Sequence, residues 1–141
     1  MGRRWHELFR DVPDARLRQR PDPSTWSALE YAAHTRDVIA LVGWGMSKVL
    51  DGDAPVFEAI EPDATAVDHG YNALDPGEVL AELGANAERM AARAERALPD
   101  HWARTGSTGS VETDAGRLLR HAVHDASHHL RDVERGLGGG R

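Results

Sequence analysis

The stretch WSALEYAAHTRDV, residues 26–38, contains the clearest helix start in the chain. Ser27 and Glu30 have the S-x-x-E spacing of a capping box, in which each side chain bonds the backbone N–H of the other residue. Trp26 before the cap and Tyr31 after it have the spacing of a hydrophobic staple, which fixes how the chain enters the helix. An apolar stripe with helical spacing follows. It consists of Tyr31, Val38, Val42, Gly45 and Val49, with Leu41 and Met46 beside it.

Four amphipathic helices are predicted from stripes of this kind. Their approximate bounds are residues 4–18, 27–50, 75–98 and 113–136. Pro13 kinks or divides the first helix, because proline removes a backbone donor and clashes with the preceding turn. Asp75 is the expected N-cap of the third helix, with Pro76 at its first position and Glu78 closing a second capping box. The stripe of the fourth helix consists of Leu119, Val123, Ala126, Leu130, Val133 and Leu137.

The segments between the helices show no sustained hydrophobic period. Residues 51–74 predict a long crossover between helices 2 and 3, with room for a short helical piece. Residues 104–113 predict a loop or a small hairpin. The economical arrangement is an all-α four-helix bundle, because each apolar stripe must be buried against other helices. We assign residues 1–137 to this single domain and residues 138–141 to a flexible Gly-rich tail.

Composition narrows the classes of function. The chain has 141 residues, of which 40% are hydrophobic, and this is enough to build one core. A net charge of −6 argues against a nucleic-acid partner, which would require a basic face. The chain has no cysteine, which excludes disulfides, a protein thiolate nucleophile and a sulfur-ligated metal. No apolar run approaches membrane-spanning length, so we expect a soluble cytoplasmic protein without a membrane partner.

The segment HDASHHL, residues 124–130, presents two polar pairs with i, i+4 spacing on the fourth helix. Successive residues turn by about 100° around a helix, and this rotation separates the two pairs. Asp125 and His129 lie on the flank of the apolar stripe, at the border between core and solvent. His124 and His128 lie on the opposite side and face mostly water. The first pair is therefore the better candidate for chemistry.

His34 lies beside the apolar stripe of the second helix, again on its flank. Flanking residues of adjacent helices can converge at the mouth of a bundle, so His34 can meet Asp125 and His129 there. Two nitrogens and one carboxylate oxygen suit Zn²⁺, Ni²⁺ or Fe²⁺ and leave positions open for water or substrate. Two simpler interpretations stay open. Asp125 and His129 could form a surface i, i+4 pair, and His34 could be a hydrogen-bonded histidine at the core edge.

Four motifs occur in a recognisable order along the chain. They are a W-S-x-L-E-Y-x-x-H helix, a DATAV segment, a DP helix start and a final HD-x-x-HHL-x-DV helix. These motifs occupy residues 26–34, 63–67, 75–76 and 124–133. In this combination, which spans nearly the whole chain, the sequence resembles the DinB-like superfamily. More narrowly it resembles the actinobacterial DinB-family proteins, to which the mycothiol-dependent maleylpyruvate isomerases are related.

The resemblance implies a four-helix bundle of the DinB/YfiT-like type that holds a divalent metal through three side chains. One ligand is the histidine of the second helix, here His34, and two come from the last helix, four residues apart. Many relatives have two histidines there, whereas the mycothiol-dependent branch has a carboxylate followed by a histidine. Aligning the H-H-L-x-x-V end of the motif gives Asp125 and His129. A shifted register would instead give His124 and His128.

The resemblance also implies a function, because characterised relatives include thiol transferases that use mycothiol or bacillithiol. We expect a thiol-dependent S-transferase or isomerase that acts on a small electrophile, with Zn, Ni or Fe as the metal and mycothiol as cosubstrate. The expected partners are the small-molecule thiol and its electrophile, together with a second copy of the chain in a homodimer. The alternative is a non-catalytic small-molecule-binding or stress-associated helical module with a vestigial metal site.

Overall fold

The computed structural model describes residues 1–54, 56–57, 62–108 and 111–138. The helices in these ranges are α1 (Gly2–Phe9), α2 (Asp14–Leu17), α3 (Ala28–Asp51), α4 (Pro62–Asp68), α5 (Pro76–Glu95) and α6 (Ala115–Gly138). The strands are β1 (Val56–Phe57), β2 (Thr105–Thr108) and β3 (Val111–Asp114), and 3-10 turns cover Tyr71–Ala73 and Pro99–Ala103. Within the described ranges, every helix is too short or too polar to cross a membrane.

Helix α3 is the centre of the bundle, because it packs against both α5 and α6. Helix α1 packs against α5 and completes the set of four. The predicted all-α four-helix bundle with a long crossover between its second and third helices is therefore confirmed. Large side chains from all four helices fill the core. Among the most deeply buried are Trp5, Leu29, Ile39, Met46, Leu50 and Leu83.

Several helix bounds differ from the predicted ones for local reasons. The first predicted helix is divided into α1 and α2, and α2 begins directly after Pro13. Helix α5 ends at Glu95 rather than at residue 98. Leu98 is extended there, because a residue before proline is pushed out of the helical region. Asp75 caps α5, because its side chain accepts the backbone N–H of Glu78 at 2.9 Å. This bond is one of the two that the predicted capping box requires.

A small sheet was only partly predicted. Strands β2 and β3 pair in the antiparallel sense, as in the small hairpin that was one of the two expected outcomes. The crossover adds strand β1, which pairs in parallel with β2 and was not predicted. The same crossover holds the expected short helical piece, α4.

The buried face of α6 is rotated slightly from the predicted stripe. Val123 was placed in the stripe, but its side chain is exposed. Leu118 and Ala122 are buried instead. The difference arises because the buried face of α6 depends on how this helix packs against α3. Helix α6 includes Gly138, the first residue of the predicted tail, and the remaining tail residues 139–141 lie outside the described part of the structure.

Candidate metal centre

The start of α3 sets the position of His34. Ser27 Oγ accepts the backbone N–H of Glu30 at 3.1 Å, and a carboxylate oxygen of Glu30 accepts that of Ser27 at 2.8 Å. The capping box predicted from the sequence is thus formed. The rings of Trp26 and Tyr31 pack with their centroids 5.5 Å apart, which confirms the staple. His34 follows one turn after this anchored start and is buried.

Three predicted side chains from two helices come together beside this turn. Asp125 and His129 project from α6 towards His34 on α3, and the three offer ligand atoms that all lie within 4.8 Å of one another. His129 Nε2 lies 3.3 Å from Asp125 Oδ1. His34 Nε2 lies 3.9 Å from Asp125 Oδ2. The structure therefore brings the two flanks together as the helix geometry predicted.

Unsatisfied polar atoms show that this cluster fits a cation. Asp125 Oδ2 is buried and has no hydrogen-bond partner among the described residues. Its distance of 3.9 Å from His34 Nε2 is too long for a direct hydrogen bond. A buried carboxylate oxygen without a donor is costly, and a cation shared with the imidazoles would satisfy it. The donor set of two imidazoles and one carboxylate is one that Zn²⁺ and related ions accept.

The protonation states also suit a cation. Burial and the nearby charge of His129 lower the pKa of His34, so its imidazole is neutral at neutral pH. Burial raises the pKa of Asp125, but the hydrogen bond and charge of His129 outweigh it, so the net pKa lies below its ordinary value. Metal ligands must be neutral imidazoles and ionised carboxylates. His34 and Asp125 are therefore in the states that binding requires.

Aromatic rings enclose two of the three side chains. The indole of Trp26 meets the His34 ring edge-on with centroids 5.0 Å apart. The Tyr31 ring lies 5.1 Å from the His129 ring. The two imidazoles themselves are 5.1 Å apart and nearly perpendicular. These contacts restrict the rotation of both histidines.

The fallback pair lies elsewhere. His124 and His128 are both exposed, with ring centroids 6.4 Å apart. In the described part of the chain neither shares a group of ligand atoms with His34. His128 instead places Nδ1 at 2.9 Å from Asp132 Oδ2. The sequence interpretation missed Asp132, although its i, i+3 spacing from His129 could have pointed to it.

Comparison with known proteins shows which family the chain belongs to. A profile described as the DinB superfamily matches residues 1–133 of the chain. The chain belongs to the DinB superfamily. A search of curated proteins finds no match.

Among solved structures, this DinB-superfamily chain is similar to YfiT from Bacillus subtilis, with a TM-score of 0.78 and 15% sequence identity. The similarity covers 97% of this chain and 81% of YfiT. YfiT is described as a probable metal-dependent hydrolase with an unusual four-helix bundle topology. At this level of identity the likeness establishes the fold alone, and it agrees with the bundle seen here.

Proposed function

We propose that this protein is a cytoplasmic, divalent-metal-dependent enzyme that transfers a thiol of the mycothiol type to a small electrophile, or isomerises a substrate through such an adduct. His34, Asp125 and His129 would hold the metal, which would be Zn, Ni or Fe. The observation that carries the proposal is the convergence of these three side chains from two separate helices, with an Asp125 Oδ2 that has no hydrogen-bond partner in the described part of the chain. The small-molecule thiol and its electrophile are the proposed partners.

The chemistry of the chain supports thiol transfer. A bound divalent cation would lower the pKa of a coordinated thiol and so favour the nucleophilic thiolate. The chain has no cysteine of its own, so the thiol must arrive with a cosubstrate. Three protein ligands leave coordination positions free, as catalytic sites do. The mycothiol-dependent branch, which the sequence resembles, has the same order of a carboxylate followed by a histidine.

The protein side chains supply binding and orientation. Asp125 contributes the negative charge that favours a cation in this half-buried position, since both partner imidazoles are neutral when they bind. Trp26 packs on His34 and Tyr31 packs on His129, which holds the two rings in place before the ion arrives. Preorganisation of this kind reduces the conformational entropy lost on binding.

Hydrolysis is the second candidate. It is favoured by the structural similarity to YfiT, which is described as a probable metal-dependent hydrolase. The same donor set would serve either reaction, because a divalent ion can polarise a substrate carbonyl as well as activate a thiol. A non-catalytic small-molecule-binding or stress-associated module with a vestigial metal site is the third outcome that an experiment must separate.

The test begins with metal content. Protein stripped with a chelator and reloaded with Zn²⁺, Ni²⁺ or Fe²⁺ should bind about one ion per chain. The His34→Ala variant should lose the ion, whereas the His124→Ala variant should keep it. His124 is a matched control because it is an exposed histidine on the helix that carries Asp125 and His129. A wild-type protein that binds no ion under any loading would refute the metal centre.

Activity is then measured on the loaded protein. Thiol transfer predicts consumption of chlorodinitrobenzene that requires mycothiol and is lost in His129→Ala. Ester cleavage without added thiol, also lost in His129→Ala, would instead favour the hydrolase. Stoichiometric metal without turnover in either assay would favour the non-catalytic module. We also propose that the chain forms a homodimer, which sedimentation of the loaded protein would test.

A further inference from the structure

The two nitrogens of the His129 ring face two different carboxylates. Nε2 lies 3.3 Å from Asp125 Oδ1, on the side of the proposed ion. Nδ1 lies 3.7 Å from Asp132 Oδ2, on the opposite side of the ring. Nδ1 is buried and has no hydrogen-bond partner among the described residues. A buried ring nitrogen without a partner calls for an explanation, and Asp132 is the polar group placed to provide one.

Tautomer chemistry connects these two contacts. A neutral imidazole carries one proton, and a nitrogen that binds a metal cannot be the one that carries it. If Nε2 of His129 faces the ion together with Asp125, the proton must sit on Nδ1. Asp132 Oδ2 lies 3.7 Å from the nitrogen that would carry this proton. In many metal sites a carboxylate accepts the second N–H of a ligating histidine, which fixes both its tautomer and its orientation.

Asp132 is itself held in place. Its Oδ2 lies 2.9 Å from Nδ1 of His128, and its Oδ1 accepts a hydrogen bond from Arg135. The Asp132 side chain is only 17% exposed, whereas those of His128 and Arg135 lie on the surface. The carboxylate is therefore anchored from the solvent side. Its Oδ2, which faces His128, also lies 3.7 Å from His129 Nδ1, just beyond hydrogen-bond distance. This also gives His128, a fallback ligand in the sequence interpretation, a role behind the site rather than in it.

We propose that Asp132 is a positioning residue of the metal centre. With the ion bound, its carboxylate would accept a hydrogen bond from Nδ1–H of His129 and so direct Nε2 towards the ion held with His34 and Asp125. This inference rests on the proposed function, because it needs the ion to be bound there. A different arrangement uses the same atoms. His128, His129 and Asp132 offer ligand atoms within 4.8 Å of one another and could instead hold a second ion.

The experiment compares three variants of the same helix, each of which removes one carboxylate. Asp132→Asn removes the negative charge and weakens the proposed acceptor while conserving its shape, and Asp132→Ala removes the acceptor altogether. Glu134→Gln is the matched control, since Glu134 is more exposed and pairs with Arg4. For each chain we would measure the dissociation constant for Zn²⁺ by competition with a chromophoric chelator, the number of ions bound, and the melting temperature without metal.

The expected result is a loss of Zn²⁺ affinity of about 10- to 100-fold in both Asp132 variants, the range usual for partners behind a metal ligand. The control should keep the wild-type affinity, and all chains should bind the same number of ions. Long-range ¹H–¹⁵N spectra of the metal-free chains should show the Nδ1–H tautomer of His129 in wild type and a smaller fraction of it in both Asp132 variants. A purely structural ion pair would not change that tautomer.

Other outcomes distinguish a failure of the positioning role of Asp132 from a failure of the metal centre. If His34→Ala loses the ion but Asp132→Asn keeps full affinity and the same tautomer, the positioning role is wrong and the metal centre stands. If wild type binds two ions per chain and Asp132→Asn binds one fewer, Asp132 is a ligand of a second site and the positioning role is again overturned. If wild type binds no ion at all, the proposed function fails and Asp132 has no ligand to position.

Discussion

Replacing Glu30 tests how much the capping box and its ion pair stabilise the start of α3. The Glu30 side chain is only 5% exposed, yet it is an ionised group. It accepts the backbone N–H of buried Ser27 at 2.8 Å and forms a two-pronged ion pair with Arg20. Burial raises the pKa of Glu30, but its bonds to Arg20 and Ser27 outweigh it, so the net pKa is lowered. Glu30→Ala removes all three bonds at once.

The magnitude follows from the burial of each partner. Leaving the buried N–H of Ser27 without an acceptor costs about 1–3 kcal/mol of unfolding free energy. The ion pair contributes less than a fully buried one, because Arg20 is 36% exposed, and we take about 1 kcal/mol for it. The sum is about 3 kcal/mol. For a domain of this size that corresponds to a fall in melting temperature of about 10 °C.

Urea denaturation followed by circular dichroism measures the change. The control is Glu82→Ala, which also breaks an arginine–carboxylate pair, with Arg36, but at a carboxylate that is 62% exposed. It should cost no more than about 1 kcal/mol. If Glu30→Ala is no more destabilising than Glu82→Ala, the capping box does not stabilise α3 in the way argued here.

The pH dependence gives an independent check with Glu30→Gln. Because the pKa of Glu30 is lowered on folding, its contribution is fully present above the ordinary value of 4.5 and is lost as the pH falls through the folded value. The stability gap between wild type and Glu30→Gln should therefore be constant near neutral pH and shrink below pH 4.5. A gap that grows on acidification would contradict the assigned direction.

Three further predictions concern the site and its surroundings. Zn²⁺ at a hundredfold excess over its dissociation constant should stabilise wild type by about 2.7 kcal/mol in thermal unfolding. Asp125→Asn should lose this stabilisation. If Asp125→Asn keeps it, Asp125 is not a ligand. Tyr71→Phe should lower the free energy of unfolding in urea by about 2 kcal/mol, because the buried hydroxyl donates to the charged Asp37 at 2.7 Å. An unchanged denaturation midpoint would refute this. Gly52→Ala should cost about 1 kcal/mol, since Gly52 ends α3 with φ of 93°, and a melting temperature equal to wild type would argue against that strain.

Local chemistry explains why much of the fold could be predicted. The capping box of Ser27 and Glu30 depends on residues three apart, so its signal is complete within one turn. The parallel pairing of Val56 with Ser107 depends on segments far apart in the chain, and no local pattern encodes it. The same distinction explains the error at Val123, since which face of α6 is buried depends on how it meets α3.

The candidate site was predictable to the extent that helix periodicity governs it. The rotation of about 100° per residue separates the flank that holds Asp125 and His129 from the side that holds His124. Periodicity places a residue on a face but does not reveal what a ring nitrogen contacts. The approach of Asp132 to His129 therefore required the rotamers of both side chains, which are set by packing in the folded chain.

The hydrophobic staple was predicted from the sequence, whereas its contacts with the proposed ligands were not. The staple residues that begin α3 also pack on the proposed ligands, with Trp26 against His34 and Tyr31 against His129. Tyr31 thereby bridges α3 to α6, so the entry geometry of one helix also fixes a ring on the other. Smaller apolar residues at these two positions could still form a staple, but they would remove the ring contacts to His34 and His129. The aromatic character of the staple therefore serves the site as well as the helix start.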